Sequence, residues 1–130
     1  MRIFLSYKFT GVPLKQLHSM IDPIKDKVES MDHELVCNLY YEKFYQENKY
    51  SVKETMLHAL TLLESCDAFM ILHNGEVGEG MGIEFGYAMK KCLPIVLLLK
   101  SGMKSVSMRA LAHRVIEFDD WNDLMKKLKV

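Results

Sequence analysis

The chain has 130 residues, enough for one domain with its own core and too few for two. Apolar residues make up 49% and charged residues 26% of it, an ordinary globular composition. With 17 Lys and Arg against 17 Asp and Glu the net charge is zero, so the basic footprint that non-specific nucleic-acid binding needs is missing. The cysteines Cys37, Cys66 and Cys92 are odd in number, widely spaced and flanked by apolar residues, with no metal-ligand spacing. They read as reduced, buried thiols of a cytoplasmic protein. The start, RIFLS, turns polar too quickly for a signal peptide. The longest apolar run, Leu93 to Leu99, is too short to span a bilayer.

In chain order, Ile3 to Ser6 reads as a short strand and SYKFTG as a loop. Val12-Pro13 opens a helix, with proline at a tolerated first-turn position. Leu14, Leu17, Ile21, Ile24 and Val28 keep helical spacing, and Asp22-Pro23 is expected to kink that helix or restart it. Glu34 to Leu39 is a second strand candidate, and YYEKFYQENKY a polar, aromatic loop in a position to cover a site as a lid. Ser51-Val52-Lys53-Glu54 has the pattern of a capping box. It starts a helix through about Ser65, with Met56, Leu57, Leu60 and Leu63 on its apolar side. DAFMIL, from Asp67, is a buried-strand pattern. HNGEVGEG is a loop, followed by a helix from about Met81 to Lys91 and a buried strand from Pro94 to Leu99. Ser105 to His113 looks helical, and Arg114 to Phe118 is a short edge strand. Asp119 or Asp120 caps a last helix, WNDLMKKLK, anchored by Trp121 and basic at its C-terminal end as the helix dipole favours.

Strands thus alternate with helices, and the central strands are apolar without alternation, as parallel strands covered on both faces should be. The expected fold is a single-domain α/β, doubly wound three-layer sandwich of about five mostly parallel strands, Rossmann- or flavodoxin-like. Ligands of such sheets sit at the carboxyl ends of the strands beside the switch point. The loops SYKFTG, HNGEVGEG and LKSGMKSVS fall there.

The stretch GEGMGIEFGYAMKKCLPIVLLL, residues 78 to 99, carries the sharpest signal. Gly78, Gly80 and Gly82 allow a tight turn and a close backbone approach to a ligand, and free amides at a helix start favour an anion. No Gly-Lys-Ser/Thr follows, and the glycines follow the third strand instead of the first, so neither a Walker loop nor a dinucleotide fingerprint is present. Glu84 lies in the first turn of its helix between the apolar Ile83 and Phe85. A first-turn acid is commonly just a favourable partner for the dipole. A carboxylate facing the switch-point cleft would instead be desolvated, held by donors, and suited to act as nucleophile or base.

GMGIEFGYAMKKCLPIVLL resembles the signature of the nucleoside 2-deoxyribosyltransferase family, including its 2'-deoxynucleoside 5'-monophosphate N-hydrolase branch: a glycine-rich turn, a glutamate, Gly-Tyr-Ala, and a strand opening with proline. RIFLSYKFTG is similar to the family's first strand and loop, and ESCDAFMIL to its strand before the catalytic loop. SVSMRA is similar to a segment whose serine meets substrate phosphate, in some members across a dimer interface. The resemblance covers nearly the whole chain and is weakest between residues 12 and 50. It implies cleavage of the N-glycosidic bond of a nucleoside or its 5'-phosphate, with Glu84 as nucleophile forming a glycosyl-enzyme ester that water or a second base resolves. It implies a small-molecule nucleotide or nucleoside as partner, a homodimer, and no cofactor or metal. Membrane and nucleic acid are not among the expected partners.

Two departures from the family pattern stand out. The family aspartate on the helix before the third strand is Ala59 here, with His58 beside it. Histidine titrates near neutral pH, so His58 is a candidate substitute, although a histidine on an apolar helix face is more often packed core; Glu76 or Glu79 could approach from the loop instead. The serine of phosphate-binding members aligns with Gly78. Lys8, Ser107 and Arg109 remain as candidate phosphate ligands. Ser6, Phe9, Gly78, Gly80, Met81 and Gly82 are candidate substrate contacts, and Tyr7 is placed to hydrogen-bond Glu84 or the sugar, or to stack on a base. Two other readings compete. FLSY and a later glutamate are also similar to TIR-type domains that cleave NAD, which lack the Gly-Glu-Gly-Tyr-Ala run, and Ala59 favours a nucleotide-binding module without chemistry.

Overall fold

The computed structural model describes residues 1–130. Strand β1 (Arg2–Ser6) leads into α1 (Leu14–Ser30), β2 (Glu34–Val36), a 3-10 turn (Asn38–Tyr41) and α2 (Glu42–Glu47). Helix α3 (Val52–Glu64), β3 (Ala68–His73), α4 (Glu79–Lys90) and β4 (Ile95–Lys100) follow, then α5 (Val106–Leu111), β5 (Arg114–Phe118) and α6 (Trp121–Lys127). The five strands form one sheet in the order β2-β1-β3-β4-β5, and every pairing is parallel. This is the expected doubly wound α/β sandwich. The strand order reverses between β1 and β3, so the crevice outside the carboxyl ends of those two strands is where such a sheet binds ligands.

Side-chain alternation splits the core in two. Ile3, Leu5, Met70 and Leu72 face Leu17, Ile21, Ile24 and Val28 of α1 and Leu124 of α6. Phe4, Phe69, Ile71 and Leu97 face Ala59 and Leu63 of α3 and Phe85 and Ala88 of α4. No helix is long and apolar enough to cross a membrane.

Several local expectations are corrected. Pro23 does not restart α1, which runs unbroken from Leu14 to Ser30. The lost hydrogen bond is offset because Ile21, Ile24 and Val28, on both sides of the proline, are fully buried against the sheet. β2 ends at Val36 rather than Leu39, and the segment read as a loop over 40–50 holds the end of the 3-10 turn and all of α2. The capping box of α3 forms as expected. Ser51 Oγ accepts from the Glu54 amide, and Glu54 Oε1 accepts from the Ser51 amide, both at 3.1 Å. The buried face of α3 is Ala59, Leu62 and Leu63, however, while Leu57 is exposed. Asp120, not Asp119, caps α6, accepting from the Asp123 amide at 2.8 Å. Trp121 anchors that helix by donating to the Met20 carbonyl at 3.2 Å.

Candidate functional site

β1 ends in Ser6, and α4 begins beyond the loop that follows β3. Ser6 and Glu84, 78 positions apart in sequence, therefore meet at the switch point: Ser6 Oγ donates to Glu84 Oε1 at 2.6 Å. Glu84 is only 6% exposed. Burial pushes its carboxyl from an ordinary 4.5 up to about 7, and the Ser6 hydroxyl pulls in the opposite direction. Ser6 is therefore a partner of the carboxylate, which its expected place among substrate contacts did not foresee.

Tyr7 is buried beside this pair. Its phenol is held far above its ordinary value, first by burial and then by the charges of Cys37, Glu42 and Glu84. The neighbouring Cys37 thiol, fully buried, is pushed up to about 12. Neither group is a nucleophile at neutral pH.

Three hollows meet around Phe9. The first, about 270 Å³, has Tyr7, Phe9, Asn38, Glu42, Tyr45 and Thr55 on its walls and Leu14 and Leu17 behind them. The second, about 290 Å³, lies over the start of α4, between Lys8, Gly78, Gly80 and Met81 on one side and Val52 and Met56 on the other. Tyr7 belongs to both. The third, about 320 Å³, opens outward between Phe9, Tyr45, Lys49 and Tyr50. Glu84 lines none of them, and Tyr7 is the wall residue that feels its charge.

The glycines do not make the tight turn read from the sequence. Gly78 is an extended N-cap at φ −77°, and Gly80 and Gly82 sit inside α4, which begins at Glu79 rather than Met81, so Glu84 lies in its second turn and not, as expected, in its first. A Cβ on Gly80 would touch the Met56 sulfur at 3.4 Å, whereas one on Gly82 would meet nothing within 4 Å. The absence of side chains at Gly78 and Gly80 leaves the floor of the second hollow open, and Gly82 does not line it. Lys8, on the wall of this hollow, donates from Nζ to Glu76 Oε2 at 2.7 Å, holding the Glu76 carboxyl below its usual range.

Other expected residues are not gathered here. His58 Nδ1 is hydrogen-bonded to Tyr45 Oη at 2.6 Å, and its ring packs edge-on against Tyr41 with centroids 4.9 Å apart. It touches the first hollow only through Tyr45. Ser107 and Arg109 lie exposed on α5. Arg109 pairs with Glu117 and borders a separate surface hollow with Arg114 and Lys127. Asn38, Glu42, Thr55 and Ile83 are wall residues that sequence reasoning missed. No motif marks them, because each reaches the cleft from an element whose orientation only the packed fold sets.

No family model matches the chain, and no curated protein matches it by sequence. Solved structures do. A CMP N-glycosidase of Clostridium botulinum, BcmB, superposes with a TM-score of 0.69 at 18% identity, covering 98% of this chain and 97% of its own. A 2-deoxyribosyltransferase of Bacillus psychrosaccharolyticus gives 0.67 at 16% identity, over 96% and 90% of the two chains. A conserved protein of Enterococcus faecalis V583 gives 0.65 at 17%, over 97% and 95%. From end to end, the chain has the fold of a CMP N-glycosidase and of a 2-deoxyribosyltransferase.

Proposed function

We propose that this protein cleaves the N-glycosidic bond of a nucleoside 5'-monophosphate or a nucleoside, by hydrolysis or base transfer, through a glycosyl ester on Glu84. The observation that carries the reading is the buried Glu84 carboxylate, met by the Ser6 hydroxyl at 2.6 Å at the switch point. The fold shared with a CMP N-glycosidase and a 2-deoxyribosyltransferase supports it.

In the first step an ionised Glu84 oxygen attacks C1' of the sugar. The bond from C1' to the base nitrogen breaks, its electron pair leaves with the base, and the base takes up a proton. In the second step water, or a second base, attacks C1' from the other side and gives up to solvent one proton, balancing the one the leaving base gained, and the ester bond returns its electrons to Glu84. Both transition states carry oxocarbenium character that an adjacent carboxylate stabilises. A desolvated carboxylate with a pKa of about 7 is a better nucleophile than one at its ordinary value and a poorer leaving group.

The two hollows joined at Tyr7 suit the two ends of such a substrate. The second, with Lys8 and the amides at the start of α4, suits a 5'-phosphate; phosphate there would displace Glu76 from Lys8. The first suits the base. The exposed apolar residues Val52, Leu57 and Ile83 on α3 and α4 support pairing of two copies along this edge. Ser107 and Arg109, remote from the cleft in one subunit, would reach substrate only from a second. A binding module without chemistry is the second reading, favoured by Ala59, which is fully buried and has no group to offer a leaving base.

The test is base release, followed by chromatography, from deoxynucleoside and ribonucleoside 5'-monophosphates, free nucleosides and NAD, for wild type and Glu84→Ala. Release from one class, lowered at least roughly a thousandfold by the substitution, is expected. A folded protein that releases base from none of them refutes the proposal in favour of the binding module.

A further inference from the structure

The attack proposed above needs a path from the sugar to a Glu84 oxygen, and the folded chain keeps that path shut. Glu84 is 6% exposed, and none of the three hollows reaches it. Something has to move, and the helix shows where. A helical side chain leans toward the N-terminal end of its helix, over the residue four positions earlier on the same face. For Glu84 that residue is Gly80, which brings no side chain of its own and lines the second hollow. The space above Gly80 is closed by two side chains from elsewhere. Met56 Sδ lies 3.4 Å, and Phe9 Cε1 3.9 Å, from the position a Cβ would take there. The approach to Glu84 along α4 therefore runs over Gly80 and is stopped by the Phe9 ring and the Met56 thioether.

The residues of this cover are not held equally. Ser6, Tyr7 and Met81 are buried, and Met56 is carried by α3. Phe9 is 43% exposed and belongs to no helix or strand. It follows the end of β1 and opens a turn in which the Val12 amide donates to the Phe9 carbonyl at 3.1 Å, with Gly11 at φ 76°. Its ring meets Tyr7 edge-on, with centroids 6.3 Å apart. It is also the residue common to the three hollows, whose volumes run from about 270 to about 320 Å³. Ligand pockets occupy roughly 300–1,000 Å³, so each hollow alone is at the small end of that range.

We propose that Phe9 is a gate: its ring covers Gly80 in the free protein and swings out to let the sugar reach Glu84. The inference rests on Glu84 being the nucleophile proposed above. Turning an exposed ring on a loop displaces no core residue and breaks no hydrogen bond of the sheet. With the ring aside, the wall that the three hollows share is gone and they form one cleft. With the ring in place, water is kept from the carboxylate between turnovers.

The test reads the cover over Glu84 directly, without substrate. The full chain is treated with a water-soluble carbodiimide and an amine, and amide formation at each carboxylate is followed by peptide mass spectrometry. In Phe9→Ala, Glu84 is expected to label at least about tenfold faster than in wild type, with the exposed Glu47 unchanged. The buried Cys66, just past the C-terminal end of α3, reports unfolding and should stay unreactive to a maleimide in both proteins. If the alanine form exposes Cys66 as well, Phe9→Val takes its place; valine keeps an apolar side chain without the reach of the ring, and the same rise is expected. Glu84 labelling at the wild-type rate in a folded variant, or as fast as Glu47 in wild type, overturns the inference. If Phe9→Ala uncovers Glu84 but wild type releases no base, the glycosidase reading falls and the gate stands. If wild type releases base and the labelling does not change, the gate alone falls.

Discussion

Replacing Glu84 by glutamine should stabilise the protein, and by an amount that depends on pH. The unfolded chain releases the Glu84 proton around its ordinary 4.5, whereas the folded chain keeps it until about 7. Between those values folding takes up a proton, so stability falls as pH rises, and above about 7 the loss is complete. At about 1.4 kcal/mol per pH unit, the interval from 4.5 to about 7 amounts to about 3 kcal/mol. Glutamine has no charge to bury and can still accept from Ser6 Oγ. Its advantage over wild type should be about 1 kcal/mol at pH 5, where the unfolded carboxylate is already partly ionised, and about 3 kcal/mol at pH 8. Urea unfolding of both proteins at the two pH values measures this. Taking the difference between the proteins cancels every other titrating group, since each is common to both. An advantage that stays constant between pH 5 and 8, or shrinks, would falsify the claim that the fold holds this carboxylate against its solvation.

Two further outcomes follow from the same geometry. Activity should rise with pH through a midpoint near 7, because the ionised form of Glu84 attacks; Ser6→Ala removes the hydrogen bond that favours ionisation, and a pH–rate profile should show the midpoint moving up by as much as about one unit. Lys8→Ala should raise KM about tenfold for 5'-monophosphates and leave free nucleosides unaffected, while steady-state kinetics on both and a melting curve show stability changed by less than about 1 kcal/mol, since the Lys8–Glu76 pair is exposed. A KM increase shared by free nucleosides would remove Lys8 from phosphate recognition.

What the sequence made legible was periodic or local. The short apolar runs of β3 and β4, bounded by turn residues, fit strands covered on both faces, and the Ser51–Glu54 capping box is a four-residue signal complete in itself. Glu84 could be singled out because an acid between Ile83 and Phe85 violates the pattern around it. Segment 40–50 lacks a helical apolar stripe because its apolar content is aromatic: Tyr41, Phe44, Tyr45 and Tyr50 pack largely on one another and on His58. That same cluster explains His58, whose Nδ1 is taken by Tyr45. The Ser6–Glu84 hydrogen bond and the placing of Asn38 and Glu42 on one wall depend on how strands and helices far apart in the chain are docked, and no local pattern encodes that.

The sheet order also governs how the molecule comes into being on the ribosome. β1 lies between β2 and β3, and its parallel partner β3 does not begin until residue 68. At roughly 5–20 residues per second, β1 emerges and waits several seconds before the strand that covers its second edge has been synthesised. During that wait Ile3, Phe4 and Leu5, all destined for full burial, have only β2 and α1 to shelter against. The nascent chain therefore carries an open, apolar strand edge while the segment between Ser6 and Ala68 is made, the kind of surface that chaperones cover.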